Sequence, residues 1–166
     1  MAVLRHTHGQ QKSLQNQGVE ARLEALEGAE AARIILAKYA AAVDAQDLKA
    51  VSALLDQEVT LSAGEMSVEG YENVVQFFQS AFDNDPSLKS HFVTNIEPSW
   101  IGQGQLNVDA CFLWTGGTDS QSIIGWGTYS NRVSVKNGDA KFTANTLTIS
   151  HMGEIGEGWT IGSESA

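Results

Sequence analysis

Between Val19 and Val43 apolar side chains recur every three or four residues: Leu23 and Leu26 open a stripe that Ile35, Leu36, Tyr39, Ala42 and Val43 continue. That interval marks one face of a helix, and Ala, Leu, Glu and Arg, all strong helix formers, fill the stretch. The pattern predicts one long amphipathic helix, loosened at Gly28. A shorter helix is expected on the face Leu48, Val51 and Leu55, and Asp44 and Asp47 are both residue types that cap a helix N-terminus. Val59–Ala63 and Met66–Glu69 alternate around Gly64-Glu65, which suits a two-residue hairpin. A third helix is predicted from Tyr71 to Phe82 with Val74, Phe77, Phe78 and Ala81 buried, and Asp83-Asn84-Asp85-Pro86 stops it.

After Ser90 the pattern changes to strands, at His91–Ile96, Leu106–Thr115, Ile123–Val135 and Lys141–Ser150, with turns such as Lys136-Asn137-Gly138-Asp139 between them. Three helices followed by a four-strand meander is an α+β order, unlike the alternation of a parallel sheet. The expected fold is a strongly curved mixed or antiparallel sheet wrapped on three N-terminal helices, with a pocket between the long helix and the concave sheet face. Residues 19–152 form this domain. Residues 1–18, polar and rich in Gln, are expected to be a flexible arm, and residues 153–166 a Gly-rich acidic tail that Trp159 and Ile161 could pin to the surface.

Composition narrows the function. The 166 residues are 42% hydrophobic and 18% charged, enough for one ordinary core. Residues 19–166 carry eight basic and twenty acidic side chains, so nucleic acid and anionic membrane surfaces are poor partners. No stretch has the continuous apolar length of a signal peptide or a membrane span, and a cytoplasmic protein is expected. The single cysteine, Cys111, lies in an apolar run and reads as a small buried hydrophobe. His6 and His8, in a polar arm without nearby carboxylates, are no metal site. Gly102-Gln103-Gly104 and Gly125-Trp126-Gly127 each lack the third Gly and the following helix of a dinucleotide site. Neither metal nor organic cofactor is therefore expected.

Chemistry without a cofactor is usually proton transfer, which directs attention to the few His, Asp and Tyr residues that can be half-buried. Asp44 ends an apolar helix face five residues after Tyr39, and His91 opens the first strand of the meander. If that strand crosses the mouth formed by the first helix, Asp44 can accept the Nδ1 proton of His91 and leave Nε2 as a base. The plain alternatives stand beside this one: Asp44 as a helix cap, His91 exposed at a strand end and Tyr39 as core.

The run Lys38-Tyr39-Ala40-Ala41-Ala42-Val43-Asp44-Ala45-Gln46-Asp47-Leu48, with Ala53-Leu54-Leu55-Asp56 and Val59, resembles the opening of SnoaL-like proteins of the nuclear transport factor 2-like superfamily. Ser90-His91-Phe92-Val93-Thr94-Asn95 resembles their His-bearing strand, and Ser122-Ile123-Ile124-Gly125-Trp126-Gly127-Thr128-Tyr129 the core strand that follows. The pattern is similar to scytalone dehydratase, bile acid 7α-dehydratase and hexachlorocyclohexane dehydrochlorinase. That likeness implies a cone-shaped fold, Asp44 as the orienting acid, His91 as the proton acceptor and Tyr39 as a member of the site. Val43 stands where scytalone dehydratase has a Tyr, and Tyr39 where the dehydrochlorinase has a Lys.

The expectation is a cofactor-independent lyase or isomerase, dehydratase-like, acting on a small hydrophobic ring-containing molecule. Tyr39 or Asn131 would hold the oxygen where charge develops, with Arg132 on the opposite side of the strand from Asn131, and Phe112, Trp114, Trp126 and Tyr129 would contact the substrate. The alternative is a binding or assembly module of the same fold. A homodimer or higher homo-oligomer through one face of the meander is expected, because three helices cannot cover both faces of so aromatic a sheet.

Overall fold

The first helix owes its position to a small residue, Gly28. In the computed structural model, which describes residues 18–155 except 86, 103 and 119–121, helix α1 (Val19–Asp44) runs unbroken through Gly28. Gly28 does not loosen it. A Cβ there would lie 2.3 Å from Cζ2 of Trp100, whose Nε1 donates to the Ala25 carbonyl at 3.1 Å. Gly28 thus lets an indole approach the helix backbone closely, and Ala32, Ile35, Leu36 and Tyr39 continue this buried face. Leu23 and Leu26, expected in the stripe, are exposed, Leu26 by 68%. Two residues before Gly28 is roughly 200° around the helix, away from the sheet.

Asp47 caps helix α2 (Leu48–Ala53) by accepting from the Ala50 N–H at 2.9 Å. The helix ends sooner than its apolar spacing predicts, and Leu55 instead begins strand β1 (Leu55–Ala63), still buried. Strand β2 (Met66–Glu69) returns antiparallel over Gly64-Glu65, Ala63 opposite Met66. Helix α3 (Tyr71–Asn84) buries Val74 and Phe78.

The meander consists of β3 (Leu88–Gly102), β4 (Gln105–Gly117), β5 (Ser122–Lys136) and β6 (Asp139–Ile155), each longer than its apolar alternation suggested. The six-stranded order is β2-β1-β6-β5-β4-β3, with β1 parallel to β6 and every other pair antiparallel. It is the α+β curved mixed sheet expected. At β5–β6, Lys136 pairs with Asp139 across Asn137 and Gly138, which take φ of 53° and 81°, the left-handed pair of a tight hairpin turn.

Extra residues bend the sheet. Two residues of β3, Asn95 and Ile96, oppose one of β4 between Thr94↔Cys111 and Glu97↔Asp109, and Asn95 is left-handed at φ 54°. Such bulges increase strand coiling. The concave face then closes on α1 through Leu106, Val108, Phe112, Tyr129, Val133 and Phe142, all buried. Cys111, expected buried, is half-exposed. It pairs with Thr94 and Thr128 on the convex side, because alternation turns it away from its buried neighbours Ala110 and Phe112.

The expectations of a flexible arm with His6 and His8, and of a tail pinned by Trp159 and Ile161, concern segments outside the described residues.

Candidate functional site

The C-terminal end of α1 and the start of β3 meet at Asp44 and His91. Because Asp47 supplies the cap of α2, the Asp44 carboxylate is free to face the sheet. Its Oδ2 accepts from the backbone N–H of His91 at 2.8 Å, and its Oδ1 lies 2.5 Å from His91 Nδ1. The imidazole is 14% exposed, and its ring stacks near Trp114, centroids 6.4 Å apart. Trp114 is its cross-strand partner on β4. With Nδ1 held by a carboxylate, the favoured tautomer keeps its proton on Nδ1 and leaves the Nε2 lone pair available.

Neighbouring contacts hold this corner. Gln46, left-handed at φ 52°, donates from Nε2 to the Asp85 carbonyl at 2.8 Å, tying the α1–α2 turn to the segment that enters β3. Burial works against the Asp85 carboxylate, but hydrogen bonds from Lys89 and Ser87 outweigh it and hold its pKa below the usual range. Lys89 pairs with Asp85 at 2.7 Å, two residues before His91 on the same strand.

Deeper along the concave face lie two tyrosines. Tyr39 packs edge-on against Phe78, Tyr129 and Phe142. Burial pushes its pKa up to about 12, with Asn145 acting in the opposite sense. Tyr129, whose ring is 4.6 Å from Phe112, has its pKa raised further, by burial first and then by the neighbouring Tyr39 and Asp44. Both remain neutral phenols at pH 7, able to donate a hydrogen bond but not to serve as bases.

Asn131 is buried on β5, and its Oδ1 accepts from the Thr146 N–H at 3.1 Å. Arg132 is exposed on the other side, as alternation demands. Phe112 and Trp114 also face inward, and glycines make room for them: Gly127 opposes Phe112 and Gly125 opposes Trp114. A Cβ on Gly127 would lie 1.9 Å from the Thr148 carbonyl oxygen and 2.8 Å from Phe112 Cζ, and one on Gly125 would lie 2.6 Å from Trp114 Nε1. This is what the Gly-Trp-Gly run accomplishes.

Trp126, between those glycines, is a correction to the expected substrate contacts. It is 46% exposed on the convex face and stacks on His151 at 4.8 Å. Alternation places it opposite in direction to Gly125 and Gly127, so it cannot reach the concave face. The structure thus gathers Tyr39, Asp44, His91, Phe112, Trp114, Tyr129 and Asn131 on the inner side and excludes Trp126. It adds one residue the sequence did not single out, Asn145, 1% exposed. Among the described residues no three His, Cys, Asp or Glu side chains are grouped to hold a metal ion, and no helix is long and apolar enough to cross a membrane.

Residues 24–146 match the family model of the SnoaL-like domain. The chain belongs to the SnoaL-like family. No curated protein sequence matches it. Solved structures show the same fold. A protein of Novosphingobium aromaticivorans, provisionally assigned as a scytalone dehydratase, is 18% identical over 86% of this chain and 98% of its own, with a TM-score of 0.72. A hexachlorocyclohexane dehydrochlorinase of LinA type 2 is 16% identical over 87% and 99%, with a TM-score of 0.76. The β subunit of a provisionally assigned aromatic-ring-hydroxylating dioxygenase, also from N. aromaticivorans, is 13% identical over 76% and 92%, with a TM-score of 0.66. This SnoaL-like chain therefore shares its cone with proteins named for small-molecule elimination and with one named as an oxygenase subunit.

Proposed function

We propose that this SnoaL-like protein is a cofactor-independent lyase or isomerase, dehydratase-like, acting on a small hydrophobic ring-containing molecule. The observation that carries the reading is the double contact of Asp44 with His91, on the backbone N–H and on Nδ1. A carboxylate spent on a cap would leave the ring free to turn; here it fixes both tautomer and orientation.

In the elimination, His91 Nε2 takes a proton from a carbon next to a carbonyl, and Asp44 stabilises the imidazolium that forms. Negative charge moves to the carbonyl oxygen, where Tyr39 or Asn131 donates a hydrogen bond. The C–O bond at the adjacent carbon then breaks, and the departing hydroxide takes the proton from Nε2 and leaves as water. On a β,γ-unsaturated carbonyl compound the same base step gives a dienolate, and returning the proton to its γ carbon gives isomerisation. Trp114, Phe112 and Tyr129 supply apolar walls for the ring.

A suitable test substrate is 3-hydroxy-1-tetralone, whose loss of water and tautomerisation give 1-naphthol, followed by its absorbance. In D2O, exchange of the proton next to the carbonyl of 1-tetralone reports the base step alone. The absence of both naphthol formation and exchange above the His91→Ala background would sink the reading.

The second reading, assembly, is favoured by the convex face. Phe92, Leu113 and Trp126, all exposed, are cross-strand neighbours in one row over β3, β4 and β5, and His151 extends it onto β6. This row is the surface through which two copies would form a homodimer, leaving both concave faces open.

A further inference from the structure

The turn between α1 and α2 places a left-handed residue two positions after Asp44. Gln46 has φ 52°, and the backbone N–H groups of Ala45, Gln46 and Asp47 bond the carbonyls of Ala41, Val43 and Ala42 at 3.0, 3.1 and 2.9 Å. The last two bonds are those of the motif that ends a helix on a left-handed residue, where glycine is the usual choice. A Cβ there crowds the following carbonyl oxygen. Glutamine at this position therefore calls for a reason outside the turn itself.

Its side chain supplies one. Nε2 donates to the Asp85 carbonyl at 2.8 Å, across 39 residues of chain, a bond that glycine could not make. Asp85 is itself anchored: its carboxylate accepts from the N–H and the Oγ of Ser87 at 3.0 and 2.5 Å and pairs with Lys89 at 2.7 Å. The start of β3 is thus fixed on the residue that Gln46 holds. Among the described residues, the hydrogen bonds that join residues 42–48 to residues 85–91 are this one and the two from His91 to Asp44. They tie the two segments at two places, the dyad and the amide two residues beyond Asp44.

We infer that Gln46 is a positioning residue for the proposed base chemistry, setting the Asp44 carboxylate against His91 by tying the end of α1 to the start of β3. This role rests on the reading of Asp44 and His91 as a general-base dyad, and it adds the group that keeps their spacing. The amide bonds a backbone carbonyl, not the imidazole, so it acts through Asp44. Both oxygens of that carboxylate are engaged at once, at 2.8 Å to the His91 N–H and 2.5 Å to Nδ1. A slip of about 1 Å between the two segments would break one of these bonds and free the ring to turn.

Two variants of the full chain remove the amide and treat the turn differently. Gln46→Gly relieves the left-handed residue, whereas Gln46→Met keeps the side-chain length and the strain but cannot donate. Gln46→Gly should therefore have the higher Tm of the two by calorimetry. Both should nevertheless slow proton exchange from 1-tetralone by about 10- to 100-fold, as loss of an orienting partner does, with KM little changed. Both should also move the ring 15N shifts of His91, assigned by their loss in His91→Ala, from the Nδ1-protonated form of the neutral ring toward a mixture of tautomers. A role confined to the stability of the turn predicts instead that Gln46→Gly keeps the wild-type tautomer and rate. That result would overturn the inference, as would wild-type shifts and rates in both variants, or a neutral wild-type ring protonated on Nε2. Should Gln46→Met fold poorly, Gln46→Gly decides alone. If the tautomer responds in the variants but the wild type exchanges no proton from 1-tetralone, the placing of Asp44 by Gln46 stands and the base chemistry falls.

Discussion

Asp44 holds His91 at two points of one residue, the backbone N–H at 2.8 Å and the ring Nδ1 at 2.5 Å. The two bonds need two acceptor oxygens pointing the same way, which only an ionised carboxylate provides. An asparagine at this position has one oxygen and one NH2 group. If its oxygen keeps the backbone N–H, its NH2 faces Nδ1 and favours the tautomer protonated on Nε2, where the base is needed.

Asp44→Asn should therefore keep the fold and lower the rate of elimination or proton exchange by about 100- to 10,000-fold, as a wrong tautomer does in other histidine-dependent sites. His91→Ala should lower it by a comparable factor. Rates within a few-fold of wild type in both variants, measured on 3-hydroxy-1-tetralone or by exchange into 1-tetralone, would remove the dyad from the mechanism.

Asp47→Ala separates the two neighbouring aspartates. Losing the cap on α2 should cost about 1 kcal/mol of stability in a denaturant titration. Turnover of the folded protein should not change, since Asp47 bonds Ala50 and does not touch His91.

Gly28→Ala sets helix propensity against packing. An Ala gains about 1 kcal/mol over Gly within a helix, but its Cβ meets the Trp100 ring at 2.3 Å, and overpacking of this kind costs about 1–3 kcal/mol. A net fall in Tm is expected, partly restored when Trp100 is also made Phe. A Tm above wild type would show that the indole moves aside freely.

Raising the pH should weaken the fold through its buried phenols. Tyr39 keeps its proton in the folded state up to about pH 12, whereas the unfolded chain begins to lose it near 10.0. The unfolded state binds fewer protons across this window, so the contribution is complete below pH 10 and is lost as pH rises to 12, by ~3 kcal/mol. Tyr129, shifted the same way, adds to the slope. Denaturant titrations at pH 9, 10 and 11 should show falling stability, with a shallower fall in Tyr39→Phe.

Trp126→Glu tests the convex face. A charge in the middle of the exposed row should shift self-association, followed by light scattering, toward monomer, while proton exchange from 1-tetralone at His91 remains unchanged. A wild type that is monomeric at micromolar concentration, or a variant that associates as wild type does, would argue against this surface as the dimer contact.

Period alone carried the helices, the hairpin at Gly64-Glu65, the four strands of the meander and the α+β order, because one buried face imposes a spacing of 3.6 or 2 on the apolar residues. It also put Arg132 opposite Asn131. Where packing partners decide, it failed. Nothing local in the sequence says that Gly28 lies under an indole 72 residues away, or that α2 stops before Leu55 so that β1 can pair with β6. Trp126 shows the limit within a single strand: alternation demands that it oppose its glycine neighbours in direction, but which set faces inward depends on where the helices lie. Asn145 is the strongest case. Counting by twos from the buried Phe142 would turn it outward, but the pairing shifts from Val133↔Phe142 to Arg132↔Ala144, giving β6 one extra residue. That single bulge reverses the alternation and points the amide inward. Asp44 and His91 are separated by 47 residues; the residue types that permit their contact were legible in the chain, but only the curvature of the sheet over α1 brings carboxylate and imidazole within hydrogen-bonding distance.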